Sequence, residues 1–205
     1  KTILAPGIVL YETNPETVKD LVSEINISID KEWSSSKVVN TEDQTNNVDY
    51  SSRSCLEYPL SEYDINKKDL YLKIHDWINP VFLDYKNSYS VESLTSGPYI
   101  LLKYSSLDKF DAHMDDCAKF PRTVSVSAYL NDDYLGGEIE FPYFNISYKP
   151  KVGDILLFSS SFPYLHKVNQ ITSGTRYAVV NWYRFEGYPV SMEKIIGSNS
   201  WIFLK

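Results

Sequence analysis

Between Pro98 and Phe185 the chain is a succession of short β-rich runs, and no other feature narrows its fold as much. Tyr99–Tyr104, Thr123–Leu130, Glu138–Phe141, Asp154–Phe158 and Arg176–Phe185 are separated by Gly, Pro, Asn and Asp, the punctuation of strands joined by turns. The part before Pro98 reads differently. Ile8–Tyr11 is a short apolar strand, after which Asn14-Pro15-Glu16 offers an N-cap, a first-turn proline and a first-turn acid. Val18, Leu21, Val22, Ile25 and Ile29 then recur at helical spacing. Lys31 to Asp49 is polar and reads as loop, with one strand allowed at Lys37–Val39. A second helix opens near Asp64 or Asn66 and carries Leu70, Leu72, Ile74, Trp77, Ile78, Val81, Phe82 and Tyr85. Pro80 is expected to bend or divide it. Helices first and strands afterwards predict an α+β fold whose strands form a sandwich or barrel. A chain of 205 residues, 43% of them hydrophobic, can bury one sizeable core. The expectation is a single domain over 1–205, with helical support over about 1–97 and a strand-rich functional half over about 98–190.

Charge and composition exclude several classes. A net charge of −7 disfavours a sequence-independent grip on nucleic acid, which depends on neutralising phosphates. The candidates for a local basic groove, Lys67-Lys68 and Lys149/Lys151, read as solvated surface. There is no apolar run of ~18 residues, so no membrane-spanning helix is expected. The first ten residues lack a signal-peptide core. Two cysteines, Cys55 and Cys117, are too few for a disulfide framework and read as reduced thiols, which sets the expectation of a cytoplasmic protein.

The chemistry-bearing residues are concentrated in the functional half. His113-Met114-Asp115 is a His-x-Asp pair; His166 follows 51 residues after Asp115, and Arg176 ten residues after that. Two histidines and one carboxylate are the facial triad that holds non-haem Fe(II) while leaving positions open for O₂ and a co-substrate. On a strand, residues i and i+2 point to the same face, so His113 and Asp115 could reach one metal from one side. An arginine nearby suits a dicarboxylate co-substrate, because its planar fork pairs two oxygens at once. Taken singly, Asp115-Asp116 could be a solvated turn, His166 a core histidine and Arg176 an ion-pair partner. Their combination in a chain with only three histidines carries the argument. His75, beside Asp76 on the second helix, reads as structural.

Strand parity is an independent check. Alternation puts Arg176, Ala178, Val180 and Trp182 on one face of their strand. It also puts Ser125, Ser127 and Tyr129 opposite Val124, Val126, Ala128 and Leu130. One face of that second strand is small and polar, ending in a tyrosine hydroxyl; the other is aliphatic. A cavity-facing surface backed by a packed one has this pattern, and it makes Tyr129 a second donor to a carboxylate held by Arg176.

From Tyr104 to Tyr183 the chain resembles the prolyl 4-hydroxylase group of 2-oxoglutarate- and Fe(II)-dependent dioxygenases. The matching pieces begin with Tyr104 and Phe110 ahead of His113-Met114-Asp115, then Arg122-Thr123 leading into Tyr129-Leu130-Asn131-Asp132. Gly136-Gly137-Glu138 with Phe141-Pro142 come next, then Pro150, Gly153-Asp154 and Phe158, and finally His166, Arg176 and Trp182. Earlier, Arg53-Ser54 resembles the Arg-x-Ser piece that precedes the family's second helix. Three positions depart: Leu107 stands where the family has glycine, and Lys167-Val168-Asn169-Gln170 replaces a small-residue and proline pattern. The basic residue is Arg176, as in the oxygen-sensing members, where collagen-type members have lysine. The resemblance implies a double-stranded β-helix (jelly-roll) with the N-terminal helices packed outside. It implies Fe(II) as cofactor, and a reaction that converts 2-oxoglutarate and O₂ to succinate and CO₂ while hydroxylating a C–H bond, with ascorbate supporting activity. By residue, it implies iron on His113, Asp115 and His166, the distal carboxylate of 2-oxoglutarate on Arg176 and Tyr129, and Tyr104 near the co-substrate's other end. Trp182 and Arg122 are expected at the substrate entrance. The implied partner is a proline-containing peptide or protein. Lys31–Asp49 and Asp132–Gly136 are expected to cover the site, since long polar loops flanking a rigid site often act as lids. Another protein side chain, a free amino acid or a small metabolite is the alternative substrate, and a non-catalytic jelly-roll binding module the alternative class. Oligomeric state is not legible in the sequence.

Overall fold

The computed structural model describes residues 1–29, 32–39, 46–91, 94–117 and 120–185. Its principal strands are β1 (Thr2–Ala5), β2 (Ile8–Glu12), β3 (Leu56–Leu60), β4 (Tyr99–Tyr104), β5 (Phe110–His113), β6 (Val124–Tyr129), β7 (Ile139–Phe141), β8 (Ile146–Tyr148), β9 (Asp154–Ser159), β10 (His166–Val168) and β11 (Arg176–Phe185). Two helices, α1 (Leu21–Ile29) and α2 (Lys68–Ser88), complete the frame. No helix among the described residues is long and apolar enough to cross a membrane.

The main sheet runs in the order β1-β2-β9-β6-β11-β4-β3, ends on the short strand Ser34–Ser35, and takes Leu94–Ser96 against the far end of β11. All its pairings are antiparallel. A smaller antiparallel sheet has the order β8-β7-β10-β5. The two faces of the main sheet serve different cores. Val124, Val126, Ala128, Tyr177 and Val179 pack with Leu21, Ile25, Ile29, Ile74, Trp77 and Phe82 of the helices. Leu102, Tyr129, Leu156 and Ala178 pack instead with Ile139, Phe141 and Val168 of the smaller sheet. Period-two alternation in β6 and β11 is what sends consecutive residues to opposite layers.

The expected first helix begins differently. Asn14 accepts from the Glu16 amide as a cap (3.1 Å), but Pro15–Thr17 is a single 3₁₀ turn and the α-helix starts only at Leu21. That turn drops Val18, fully buried, into the core. The second helix likewise opens with a 3₁₀ turn, Ile65–Lys67, capped by Asp64. It runs unbroken through Pro80. Pro80 is exposed, and the carbonyl its ring frees, that of Asp76, lies on the same exposed side, so water can satisfy it. Phe82 stacks flat on Tyr183 of β11 (3.4 Å, 4°) and ties α2 to the sheet.

The N-terminal part is more than helical support, since β1, β2 and β3 extend the main sheet on both sides. Lysines read as solvated are in use: Lys67 donates to the Ser28 carbonyl and pairs with Glu32, and Lys149 donates to the Tyr134 carbonyl. The Asp132–Gly136 segment is no loose cover. Leu135–Gly136 pairs with Ile171–Ser173 and Tyr134 is buried. Of the Lys31–Asp49 loop, residues 31 and 40–45 lie outside the described residues. Its remainder includes the strand pair Val38–Val39 with Asn46–Asn47.

Candidate metal centre

His113 and His166 face each other as direct register partners of β5 and β10. Asp115 joins them from just beyond a strand end. The strand ends at His113, so Asp115 comes from the turn that follows. That turn is fixed by the Asp116 amide donating to the Ser160 carbonyl (2.9 Å) and by Asp116 accepting from the Arg122 amide (2.9 Å). One ligand atom from each of His113, Asp115 and His166 lies within 4.8 Å of the others. His113 Nε2 is 3.7 Å from Asp115 Oδ1, and His166 Nε2 is 3.6 Å from Asp115 Oδ2. Both imidazoles turn Nε2 inward because Nδ1 meets a backbone carbonyl: Asp111 for His113 (2.8 Å) and Tyr164 for His166 (3.1 Å). A carbonyl there selects the tautomer whose Nε2 lone pair is free for a metal. The donor set of two neutral nitrogens and one carboxylate fits a divalent first-row ion such as Fe(II).

The surroundings hold these groups in the ligating state. Burial, then repulsion from His166, keeps the His113 pKa well below the ordinary imidazole range. Burial alone would raise the Asp115 carboxyl, but His166, His113, Arg122 and the Ser125 hydroxyl outweigh it and hold it below the usual carboxylate range. Ser125 Oγ donates to Asp115 Oδ2 at 2.6 Å and meets Ser160 Oγ at 2.8 Å. Phe110 stacks on the His113 ring (3.6 Å, 18°), and the guanidinium of Arg53 covers Phe110 from 4.7 Å.

The triad lines a small cavity, partly open to solvent, whose walls also include Arg53, Ser127, Phe158, Arg176 and Trp182. Arg176 enters from the first residue of β11 and is almost fully buried, yet Nε and Nη1 have no partner within the protein. Its Cζ stands 4.9 Å from the Tyr104 ring and 5.1 Å from the Tyr129 ring. Tyr129 keeps its buried hydroxyl unpartnered too. Buried donors without acceptors are costly, which points to an anion as the missing partner. Tyr104, expected near the other end of the co-substrate, has its ring against Arg176, because the register pairs the two residues directly. At the metal end Arg122 lies 3.7 Å over the Trp182 ring, donates to the Asp115 carbonyl (3.2 Å) and approaches Asp115 Oδ1 (3.8 Å). His75 is elsewhere, in contact with Tyr99 on the helix side (3.1 Å).

Four residues of the site were not singled out for it from the sequence. Arg53 was visible only through its Arg-x-Ser match and Ser125 only as part of a polar strand face. Phe110 carried a family match but no role, and Tyr134, unpartnered beside Arg176, gave no signal.

Comparison with known proteins agrees with this geometry. Residues 99–184 match the family described as the 2OG-Fe(II) oxygenase superfamily. Prolyl 3-hydroxylase 2 of Homo sapiens is 34% identical over 95 residues, which is 42% of this chain and 13% of that protein. A putative prolyl 4-hydroxylase of Acanthamoeba polyphaga mimivirus is 25% identical over 132 residues, 55% of this chain and 54% of its own. The chain therefore spans about half or less of these relatives. A Trichoplax adhaerens prolyl hydroxylase, solved with a hypoxia inducible factor peptide fragment, superposes with a TM-score of 0.68 at 16% identity, covering 86% of this chain and 83% of that one. The fold is thus the jelly-roll of these oxygenases, with α1 and α2 outside it.

Proposed function

We propose that this protein, whose residues 99–184 match the family described as the 2OG-Fe(II) oxygenase superfamily, is a 2-oxoglutarate-dependent dioxygenase that hydroxylates prolyl residues of a peptide or protein, at C4. The observation that carries this reading is one cavity holding the His113, Asp115 and His166 cluster together with buried, unpartnered Arg176. The three ligands would hold Fe(II), which supplies the oxygen chemistry when bound. Arg176 and Tyr129 would bind and orient the distal carboxylate of 2-oxoglutarate, and the Leu102, Ile139, Phe158, Val168 and Val180 walls would keep water from the reacting groups.

The Arg122 guanidinium lies 3.7 Å over the ring of Trp182, which lines the cavity; a flat pair of this kind would suit a proline ring and its extended backbone. The relatives' names divide between prolyl 3- and 4-hydroxylase, so the carbon is part of the proposal. Ascorbate as supporting reductant and a reducing, cytoplasmic setting belong to it as well, the latter supported by free Cys55 and Cys117.

The test is incubation with Fe(II), 2-oxoglutarate, ascorbate and a panel of proline-containing peptides. Mass spectrometry should find one added oxygen on proline, with matching succinate, and hydrolysate chromatography should identify 4-hydroxyproline. No 2-oxoglutarate turnover under any condition would reject the oxygenase. Uncoupled turnover with every peptide unmodified would reject the prolyl substrate.

A further inference from the structure

Seven buried side-chain nitrogen or oxygen atoms among the described residues have no hydrogen-bond partner within the protein, and four of them belong to one place: Arg176 Nε and Nη1, Tyr129 Oη and Tyr134 Oη. Tyr134 is the unexpected member. A Cβ on Gly137 would sit 3.0 Å from Tyr134 Cε2 and 3.5 Å from Arg176 Cδ, which places the ring at the Arg176 end of the site; burial pushes its phenol up to about 12, while the charge of Arg176 and a hydrogen-bonding contact with it pull the other way.

The ring has no freedom to look for a partner elsewhere. Lys149 Nζ stands 3.5 Å from its centroid and donates to the Tyr134 carbonyl. A Cβ on Gly137 would come within 3.0 Å of Tyr134 Cε2, and one on Gly174 within 3.0 Å of Tyr134 Cα. The next two residues, Leu135–Gly136, are pinned by Ile171–Ser173. For packing alone a phenylalanine would serve as well. The neighbour within hydrogen-bonding reach of this buried hydroxyl, the Arg176 guanidinium, is itself a donor, so the phenolic proton lacks an acceptor, a cost that an arriving one removes.

We infer that Tyr134 is a third donor, with Arg176 and Tyr129, to the distal carboxylate of the co-substrate, and so helps select a dicarboxylate 2-oxo acid. A carboxylate has two oxygens and about four acceptor sites, enough for the guanidinium fork and both phenols. The inference rests on the reading of Arg176 as the carboxylate anchor, and the experiment separates the two.

Calorimetry on Mn(II)-loaded protein should compare 2-oxoglutarate with 2-oxopentanoate, which has the same chain but no distal carboxylate. Tyr134→Phe should weaken 2-oxoglutarate binding ~10-fold, the lower range for a hydrogen bond to a charged group, and leave 2-oxopentanoate unchanged. Its metal- and ligand-free melting temperature should hold or rise, because the phenolic proton lost there had no acceptor. Unchanged 2-oxoglutarate affinity, equal weakening of both acids, or a lower ligand-free melting temperature would each overturn the inference. Arg176→Ala is the control: if it too keeps its 2-oxoglutarate affinity, the anchor reading itself has failed.

Discussion

Ser125→Ala tests whether the metal site is built by the strand face behind it. The Ser125 hydroxyl is buried and donates to Asp115 Oδ2 at 2.6 Å, so the substitution deletes one charge-assisted hydrogen bond to a ligand carboxylate. Such bonds contribute about 1.5–3 kcal/mol, which is roughly 10- to 150-fold in an equilibrium constant. Loss of a group that orients a metal ligand typically costs ~10–100-fold in metal affinity, and the two routes agree. Ser127→Ala is the matched control. Ser127 lies on the same face two residues on and lines the cavity, but Ser125 is the serine of this strand that bonds Asp115. Competition of Mn(II) or Co(II) between protein and a fluorescent chelator should show a ~10–100-fold weaker Ser125→Ala and a Ser127→Ala within about threefold of the parent. At saturating metal the 2-oxoglutarate affinity of Ser125→Ala should be unchanged, since Arg176 is untouched. A Ser125→Ala protein with parental metal affinity, or equal losses in both variants, would refute the reasoning.

Three further outcomes follow from the same geometry. Arg176→Ala should weaken 2-oxoglutarate binding by ~30-fold or more while sparing metal binding, as expected for a charge-assisted pair in a desolvated pocket worth about 2–5 kcal/mol. Arg176→Lys should fall between, having lost the fork; calorimetry decides. For pH, His113 is depressed in the folded state, so below ~6.5 the unfolded chain takes up a proton that the folded one refuses. Metal-free stability by urea unfolding should therefore drop by up to ~1.4 kcal/mol per pH unit from pH 6.5 downward. Asp115, also depressed, adds the same sign below ~3.9; a flat profile from pH 7.5 to 5 would contradict the assignment. Gly137→Ala would place a Cβ against Ile171 Cδ1 and within 3.0 Å of Tyr134 Cε2, at a φ of +72°. Backbone strain of about 1–2 kcal/mol plus overpacking of about 1–3 kcal/mol should lower the melting temperature, and an unchanged midpoint would show that the pocket yields freely.

What the sequence made legible was set by how locally each feature is encoded. β4 and β11 occupy the very ranges read from apolar runs, because six or ten residues suffice to show a pattern. β5 and β10 have four and three residues, too few for a period, although they carry both histidines. β3 was missed because Pro59 interrupts it; its side is exposed, as an edge-tolerated proline should be. The triad and Arg176 were legible because histidine is rare in this chain and the spacing distinctive. Tyr134 was not, since only the fold shows its hydroxyl to be buried and unpartnered beside Arg176. The His-x-Asp stretch read as a strand end or loop, and it is a strand end: the strand stops at His113, and a turn held by Asp116 and Ser160 brings the Asp115 carboxylate round.

The site and the stability of the fold are written on the same two strands. In β6, Ser125 bonds the ligand carboxylate while Val124 and Val126, on either side of it, pack under the helices. In β11, Arg176 and Trp182 face the cavity while Tyr177, Val179 and Tyr183 join the helix-side core. A slip of one residue would exchange the two sets completely. It would bury Arg176 in the helix-side apolar core and turn Val179 toward the cavity. The helix-side apolar contacts therefore hold the register on which the cavity and the His113, Asp115 and His166 cluster depend, and α1 and α2 support that site without lining it. Substitutions such as Val179→Thr should on this account act first on stability and reach catalysis only through loss of the folded state. Substitutions on the opposite parity, at Ser125 or Arg176, should act on binding while the fold persists.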